Sequence, residues 1–358
     1  MNLVKNILTK DNPYSMDFSN KEIDFLKELK KLMDFHFNNS SEFRNFISNN
    51  NLNLNVNHIN ELPFLPARLF KLMNLRSIPD ENIFKIMTSS GTSGQAVSKI
   101  YLDKESSLIQ TKVLSQIISS LLGKKRRNML IVDSQSIIKD RKKFNARAAG
   151  ILGFSSFGKN HKYLLDDDLN LDILELKISL EENDNNPLLI FGFTYLIWQQ
   201  FYQCIKDSKI QINFPENTVL IHGGGWKRLH DNRVDNHKFK NSLHELGILK
   251  VHDYYGMIEQ TGSIFIECEK GFLHCSDYSD IIIRDEFTLD ELNFNEEGII
   301  QVLSLLPSSY PGNSILTEDI GTIIGEDDCE CGKKGKYFLV SGRMKQSEVR
   351  GCSDTRAV

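Results

Sequence analysis

Three groups of residues in this 358-residue chain have the types and spacing to do chemistry. The first is the run Thr88-Ser89-Ser90-Gly91-Thr92-Ser93-Gly94. Its glycines let backbone N–H groups converge on an anion, and its hydroxyls add donors, so the run can cradle phosphate. It lacks the Gly-Lys-Ser/Thr ending of the common P-loop. Composition alone leaves a plain Ser/Gly turn equally open. The second group is Cys268-x5-His274, with Cys275 beside it, and Cys329-x-Cys331. Two thiolates joined by Cys or His from another segment is tetrahedral Zn2+ chemistry. The Cys-x-Cys spacing is tighter than usual, and two unrelated buried thiol pairs is the competing reading. Cys275 is an alternative ligand to His274. Four protein ligands would leave no open position, so such a site is structural. The third is Cys352, which follows Arg350-Gly351 in a short polar tail. A thiolate can capture an acyl carbon and store it as a thioester, and the neighbouring Arg350 favours the thiolate. An incidental surface thiol is the alternative.

Composition narrows the class of protein. The length allows two or three lobes. Forty per cent hydrophobic and 25% charged residues suit a globular fold with a sizeable core and exclude a disordered chain. A net charge of −4 gives no reason to expect nucleic acid as a partner. Six Cys are too few for a disulfide scaffold. Residues 1–12 contain no apolar signal region, and no window reaches the roughly 20 apolar residues of a membrane helix. A cytoplasmic protein with reduced thiols is the expectation.

The elements that must position these groups follow from periodicity. Ile23, Phe25, Leu26, Leu29, Leu32 and Met33 recur at helical spacing, so residues 1–85 read as a helical region. From residue 86 to 260 short apolar runs alternate with amphipathic helices. Strands are expected at 83–87, 99–102, 128–132, 188–193 and 218–222, and helices at 103–122, 142–152, 195–207 and 235–246. That alternation predicts an α/β core with a largely parallel sheet. Residues 261–342 read as a β-rich subdomain, with strands at 263–267, 281–284, 299–305 and 321–324. Residues 343–358 form a short tail carrying Cys352.

Several motifs then fall in an order that resembles the adenylate-forming enzymes (acyl-CoA synthetases, luciferase-like and adenylation domains). Ser89-Ser90-Gly91-Thr92-Ser93-Gly94 resembles their phosphate loop, although the nearest lysine, Lys99, is displaced. Gly223-Gly224-Gly225 resembles the glycine turn against which adenine and the acyl group lie. Tyr254-Tyr255-Gly256-x-x-Glu259 resembles the segment whose ring stacks on adenine and whose carboxylate helps hold Mg2+. Thr317-Glu318-Asp319 resembles the ribose-binding Thr-Gly-Asp, with Glu318 in place of glycine. Ser341-Gly342-Arg343 resembles the Gly-Arg that contacts ribose and the α-phosphate. The resemblance implies ATP and Mg2+ as cofactors and the large N-terminal-type lobe of that superfamily, an α/β fold with mixed and parallel sheets. It also implies that Gly192, Phe193 and Thr194 line an acyl pocket beside the 223–225 glycines.

The superfamily's second lobe is expected to be absent here or reduced to the tail. That tail, with the Gly-Gly-Gly-Trp-Lys at 223–227, resembles the bioluminescence acyl-protein synthetases (the LuxE family), in which a Cys near the C-terminus accepts the acyl group from acyl-AMP. The resemblance implies an ATP-dependent acyl-protein synthetase acting on a fatty or aryl carboxylic acid. Cys352 is then the nucleophile, Glu259 the Mg2+ carboxylate, and an acyl reductase or acyltransferase the partner. The Cys268, His274, Cys329 and Cys331 pattern resembles instead the zinc-bearing phenylacetate-CoA ligase-like enzymes. An acyl-CoA ligase of that type is therefore one alternative, and a non-catalytic nucleotide-binding partner protein is the other.

Overall fold

A computed structural model of the chain describes residues 2–89, 97–139, 146–226 and 234–344. Residues 90–94 of the expected phosphate loop and Cys352 lie outside the described residues. The chain divides into two compact units, one comprising residues 122–139, 146–226 and 234–254, the other residues 2–89, 97–121 and 255–344.

The first unit is a parallel sheet. Its strands run Gly158–Leu165, Arg127–Ser134, Leu188–Phe193, Val219–Gly223 and Lys250–Tyr255 across the sheet. Leu188–Phe193 and Val219–Gly223 are buried at every position, as interior parallel strands must be. Helices Ala146–Ser155, Ile173–Asn183 and Asn236–Glu245 belong to this unit. Asp172 and Asp235 cap two of them by accepting from the backbone N–H of Glu175 and Lys238. The helix expected at 195–207 forms, but Ile197–Tyr202 winds as a π-turn, with Trp198 stacked on Tyr202 at 4.9 Å. The strand Gly158–Leu165 and the helix Ile173–Asn183 were not expected. The strand's first half, Gly-Lys-Asn-His-Lys, is polar because it pairs only with Arg127–Ser134 and is largely exposed.

The second unit joins helices to an antiparallel sheet. Helices Phe18–Asn39, Ser41–Asn49 and Lys104–Leu122 supply its helical face. The sheet order is Ser279–Arg284, Glu297–Ser304, Ser314–Glu326, Lys336–Arg343, Leu273–His274, Phe265–Glu267. A separate hairpin pairs Lys85–Thr88 with Lys99–Leu102. Its second strand has the bounds that the sequence predicts.

Helix Phe18–Asn39 drives one charged residue into the sheet. Lys21 is 3% exposed and donates to the carbonyls of Ser276 (3.0 Å) and Ser279 (2.6 Å), with Asp280 at 3.7 Å. Lys336 approaches the other oxygen of Asp280 at 3.5 Å and donates to the Ile281 carbonyl at 3.0 Å. Buried ions persist only when paired and hydrogen-bonded this fully. Glu326 faces the same group. Burial raises its carboxyl to about 7, opposed by Lys336 and Lys21 and reinforced by Asp280 and Asp327. The free side chain titrates near 4.5. The stability tied to this group is therefore complete below that value, falls as pH rises through about 7, and is flat above. Glu326→Gln is expected to flatten the fall in thermal midpoint between about pH 5 and pH 7.5. Parallel slopes in wild type and variant would contradict this.

Candidate active site and metal centre

The neck of the expected phosphate loop is closed by two hydrogen bonds. Ser89 N donates to the Ser98 carbonyl (3.0 Å), and Ser98 N donates to the Ser89 hydroxyl (2.9 Å). Ser89 thus fastens the end of the hairpin. Ser98 also lies beside Glu259, which sits in the one-turn helix Ile258–Gln260. Gln260 secures that turn through bonds to the carbonyls of Val302 (2.9 Å) and Gly312 (3.0 Å). Gly312 must be glycine, because a Cβ there would stand 2.8 Å from the Glu259 carbonyl. Glu259 is 7% exposed. Burial raises its carboxyl, while the Ser98 hydroxyl, its own backbone, Lys71 and Arg343 pull it down. A buried, disfavoured carboxylate of this kind suits a hard divalent cation such as Mg2+.

Tyr255, Asp319 and Arg343 form one knot. The Tyr255 hydroxyl donates to Asp319 Oδ2 (2.8 Å), and Arg343 Nε donates to Oδ1 (3.0 Å). Asp319 and Arg343 face each other across neighbouring antiparallel strands. Thr317 orients the carboxylate's backbone, accepting from Asp319 N (3.1 Å) and donating to the Ile300 carbonyl (2.7 Å). The Tyr255 ring packs on Phe265 and Phe338. Burial and the Asp319 charge hold its hydroxyl protonated, well above the ordinary phenol value. Gly256 follows it and packs on Ile264.

Tyr254 faces elsewhere, since successive strand residues alternate in direction. Its ring meets Phe154 (5.0 Å) and Phe191 (6.3 Å). It lies so close over Gly223 that any Cβ there would collide with it. Gly192, Phe193, Thr194 and Gly223 gather at the carboxyl ends of adjacent parallel strands, the usual place for ligands on such sheets. Gly192 has no room for a side chain, with Ile197 2.8 Å from its Cβ position. Gly224 takes a positive φ of 76°, and nothing lies within 4 Å of the Cβ position of Gly225. Sequence reasoning gave His222 no role. It is buried, and its Nδ1 lies 2.9 Å from the Thr194 hydroxyl, which also donates to the Gly223 carbonyl (3.2 Å). Burial lowers its imidazole to about 3, so the ring is neutral. A histidine ending an otherwise apolar strand was the signal available for it.

Cys268, His274, Cys329 and Cys331 come together, their ligand atoms all within 4.8 Å of one another. Cys268 ends the strand Phe265–Glu267 and opens a turn in which Gly271 N donates to its carbonyl and Lys270 N to its sulfur. His274 lies on the next strand, its Nε2 3.3 Å from Cys331 Sγ. Cys329 to Gly332 is a tight turn closed by Gly332 N to the Cys329 carbonyl, with Gly332 at φ 81°. Cys275 is buried instead in an apolar cluster with Phe265, Ile281 and Phe338, which leaves His274 as the fourth donor. Burial lowers His274 to about 3, the neutral state a metal ligand needs. Burial pushes Cys331 up to about 12. Three sulfurs and one imidazole at this separation fit a closed tetrahedral Zn2+ site.

The fold matches that of adenylate-forming ligases. An open conformation of 2-hydroxyisobutyryl-CoA ligase, bound to 2-HIB-AMP and CoA, superposes with a TM-score of 0.69 at 12% identity, covering 93% of this chain and 77% of that one. Its postadenylation state gives 0.68 at 14% identity over 93% and 70%. At such identity the likeness concerns the fold. The sequence profile of the acyl-protein synthetases, LuxE, matches residues 2–357, and the chain belongs to that family of ligases. Relatives include the long-chain-fatty-acid–luciferin-component ligases of Aliivibrio fischeri (25% identical, 97% of this chain, 90% of that one) and Vibrio harveyi (23%, 91% and 85%). Among the described residues no helix is long and apolar enough to cross a membrane.

Glu259 gives a direct test of this geometry. Its raised carboxyl means that the ionised form is disfavoured in the fold, so at pH 7.5 the charge costs stability. Glu259→Gln removes that charge. The variant is expected to melt at or above the wild-type temperature in metal-free buffer, and a lower midpoint would contradict the assignment.

Proposed function

We propose that the chain activates a carboxylic acid with ATP and then carries the acyl group on Cys352 as a thioester. A substrate carboxylate oxygen attacks the α-phosphorus of ATP, pyrophosphate leaves, and a mixed acyl-phosphate anhydride forms. The Cys352 thiolate then attacks the acyl carbon, and AMP departs with the bonding electrons. The observation that carries this reading is the Tyr255–Asp319–Arg343 knot in a chain whose family match runs through the Cys352 tail. Asp319 holds the ribose hydroxyls, Arg343 reaches ribose and α-phosphate, and Tyr255 lies against adenine. Ser90–Gly94 embraces the β- and γ-phosphates. Glu259 holds Mg2+, which neutralises charge developing on the phosphates. Gly192, Phe193 and Thr194, with the 223–225 glycines, receive the acid. Thr194, oriented by neutral His222, offers its hydroxyl there.

The names of the two curated relatives favour a long-chain fatty acid, and the thioester is proposed to pass to an acyl reductase or acyltransferase. Cys268, His274, Cys329 and Cys331 hold a structural Zn2+ that takes no part in the reaction.

The decisive experiment incubates protein with ATP, Mg2+ and radiolabelled acids of graded length. Denaturing gels are then run with and without hydroxylamine. Wild type is expected to carry a hydroxylamine-labile label that Cys352→Ala abolishes, while Cys352→Ala still forms acyl-AMP. Unlabelled protein together with a CoA thioester in a parallel incubation containing CoA would establish a CoA ligase instead. Asp319→Asn is expected to lower adenylate formation about 100-fold, the scale on which misplacing a bound substrate by about 1 Å slows its reaction.

The zinc assignment has its own test. Metal analysis should find about one zinc per chain, lost in Cys331→Ser.

A further inference from the structure

We propose that residues 12–18 form a strap over the metal centre, and that docking of the strap and occupancy of the centre are thermodynamically coupled through Tyr14. The proposal rests on the zinc reading of Cys268, His274, Cys329 and Cys331.

The strap is tied on both sides to segments that carry ligands. On one side is Asp277, three residues after His274. Its N–H donates to the Pro13 carbonyl (2.7 Å). Its carboxylate accepts from Ser15 N (3.1 Å), the Ser15 hydroxyl (3.0 Å) and Met16 N (3.1 Å). On the other side is the turn that bears Cys329 and Cys331. Lys334 N donates to the Tyr14 carbonyl (3.1 Å). Asp327 accepts from Phe18 N (2.8 Å) through one oxygen and from Gly335 N (2.7 Å) through the other. The strap therefore bridges the two halves of the ligand set.

Tyr14 is the strap's inward residue. It is 1% exposed, its ring meets His274 edge-on at 6.2 Å, and Lys333 sits 4.6 Å from its centroid. Its hydroxyl is buried with no hydrogen-bond partner, and so is His274 Nδ1. An unpaired buried hydroxyl is costly. Cys275, Asp277, Cys331 and Cys268 all act on it electrostatically, in that order of strength. A thiol is a weak acceptor, whereas a metal-bound thiolate is a strong one. Loading the centre releases three protons from three thiols and leaves Zn2+ with three thiolates, a net charge of −1. The loaded centre thus places a net negative charge near the buried Tyr14 hydroxyl and Lys333, which the protonated thiols do not. Coupling of this kind is reciprocal, so the strap must tighten metal binding by the factor by which metal tightens the strap.

The test uses the full-length protein. Zinc content is measured first, then zinc is extracted with phenanthroline and restored. At each stage chymotryptic cleavage after Tyr14 is followed by mass, with cleavage after the buried Phe201 as control. Extraction is expected to speed cleavage after Tyr14 about 10-fold or more while Phe201 stays protected, and added zinc should reverse it. Tyr14→Phe, which keeps the ring and removes the hydroxyl, should lose zinc to the chelator about 10-fold faster than wild type, the usual scale for an outer-shell partner. Full zinc content with unchanged cleavage after Tyr14 on extraction would overturn the coupling. So would equal acceleration at Tyr14 and Phe201, since that reports general unfolding. Protein that neither contains nor takes up zinc would sink the metal reading, and the coupling with it.

Discussion

One strand pairing sets the register on which both sites of the antiparallel unit depend. Ser314–Glu326 and Lys336–Arg343 run antiparallel, with Asp319 opposite Arg343 at one end and Glu326 opposite Lys336 at the other. The turn between them carries Cys329 and Cys331. A slip of one residue would turn every side chain to the wrong face. Irregularities near Ile320 and Ile323 are built into the pairing, and Gly321 is needed where the Leu339 carbonyl stands 2.5 Å from its Cβ position. The carboxylate–guanidinium contact and the thiol turn are thus two ends of one hairpin. A ligand that fixes the turn also fixes the register of the carboxylate.

The unit handles buried charge in two opposite ways. Lys21, Asp280 and Lys336 saturate one another and the nearby carbonyls. Asp280 accordingly keeps its carboxyl below the ordinary value in spite of burial. Glu259 is held with its carboxyl above that value. The first arrangement ties a helix to a sheet, and the second leaves a carboxylate ready for a cation. The contrast lies in how many opposite charges and donors the backbone brings near, since both groups are buried.

Much of this was legible in the sequence, and the exceptions have physical causes. Leu188–Phe193 announced itself as a continuous apolar run because both faces are covered. Gly158–Leu165 did not, because a lightly covered edge strand carries Lys, Asn and His where an interior strand carries Val or Ile. Leu273–His274 is two residues long and shows no period at all, although it delivers one member of the Cys/His cluster. Cys268, His274, Cys329 and Cys331 were recognisable by spacing, since short turns bring such pairs together whatever the surrounding fold. The choice between His274 and Cys275 needed the alternation of the strand. Ser89 read as a phosphate donor; that its hydroxyl accepts from Ser98 N depends on a hairpin register that composition does not express. The distinct surroundings of Tyr254 and Tyr255 needed the structure for the same reason.

Both oxygens of Asp319 are already occupied, by a phenol and a guanidinium. On the proposed reading, a ribose entering there would meet a carboxylate with only about half its acceptor capacity in use. Its position is fixed beforehand, by a phenol and a guanidinium on separate segments. The carboxylate would then serve as a rigid gauge of sugar position.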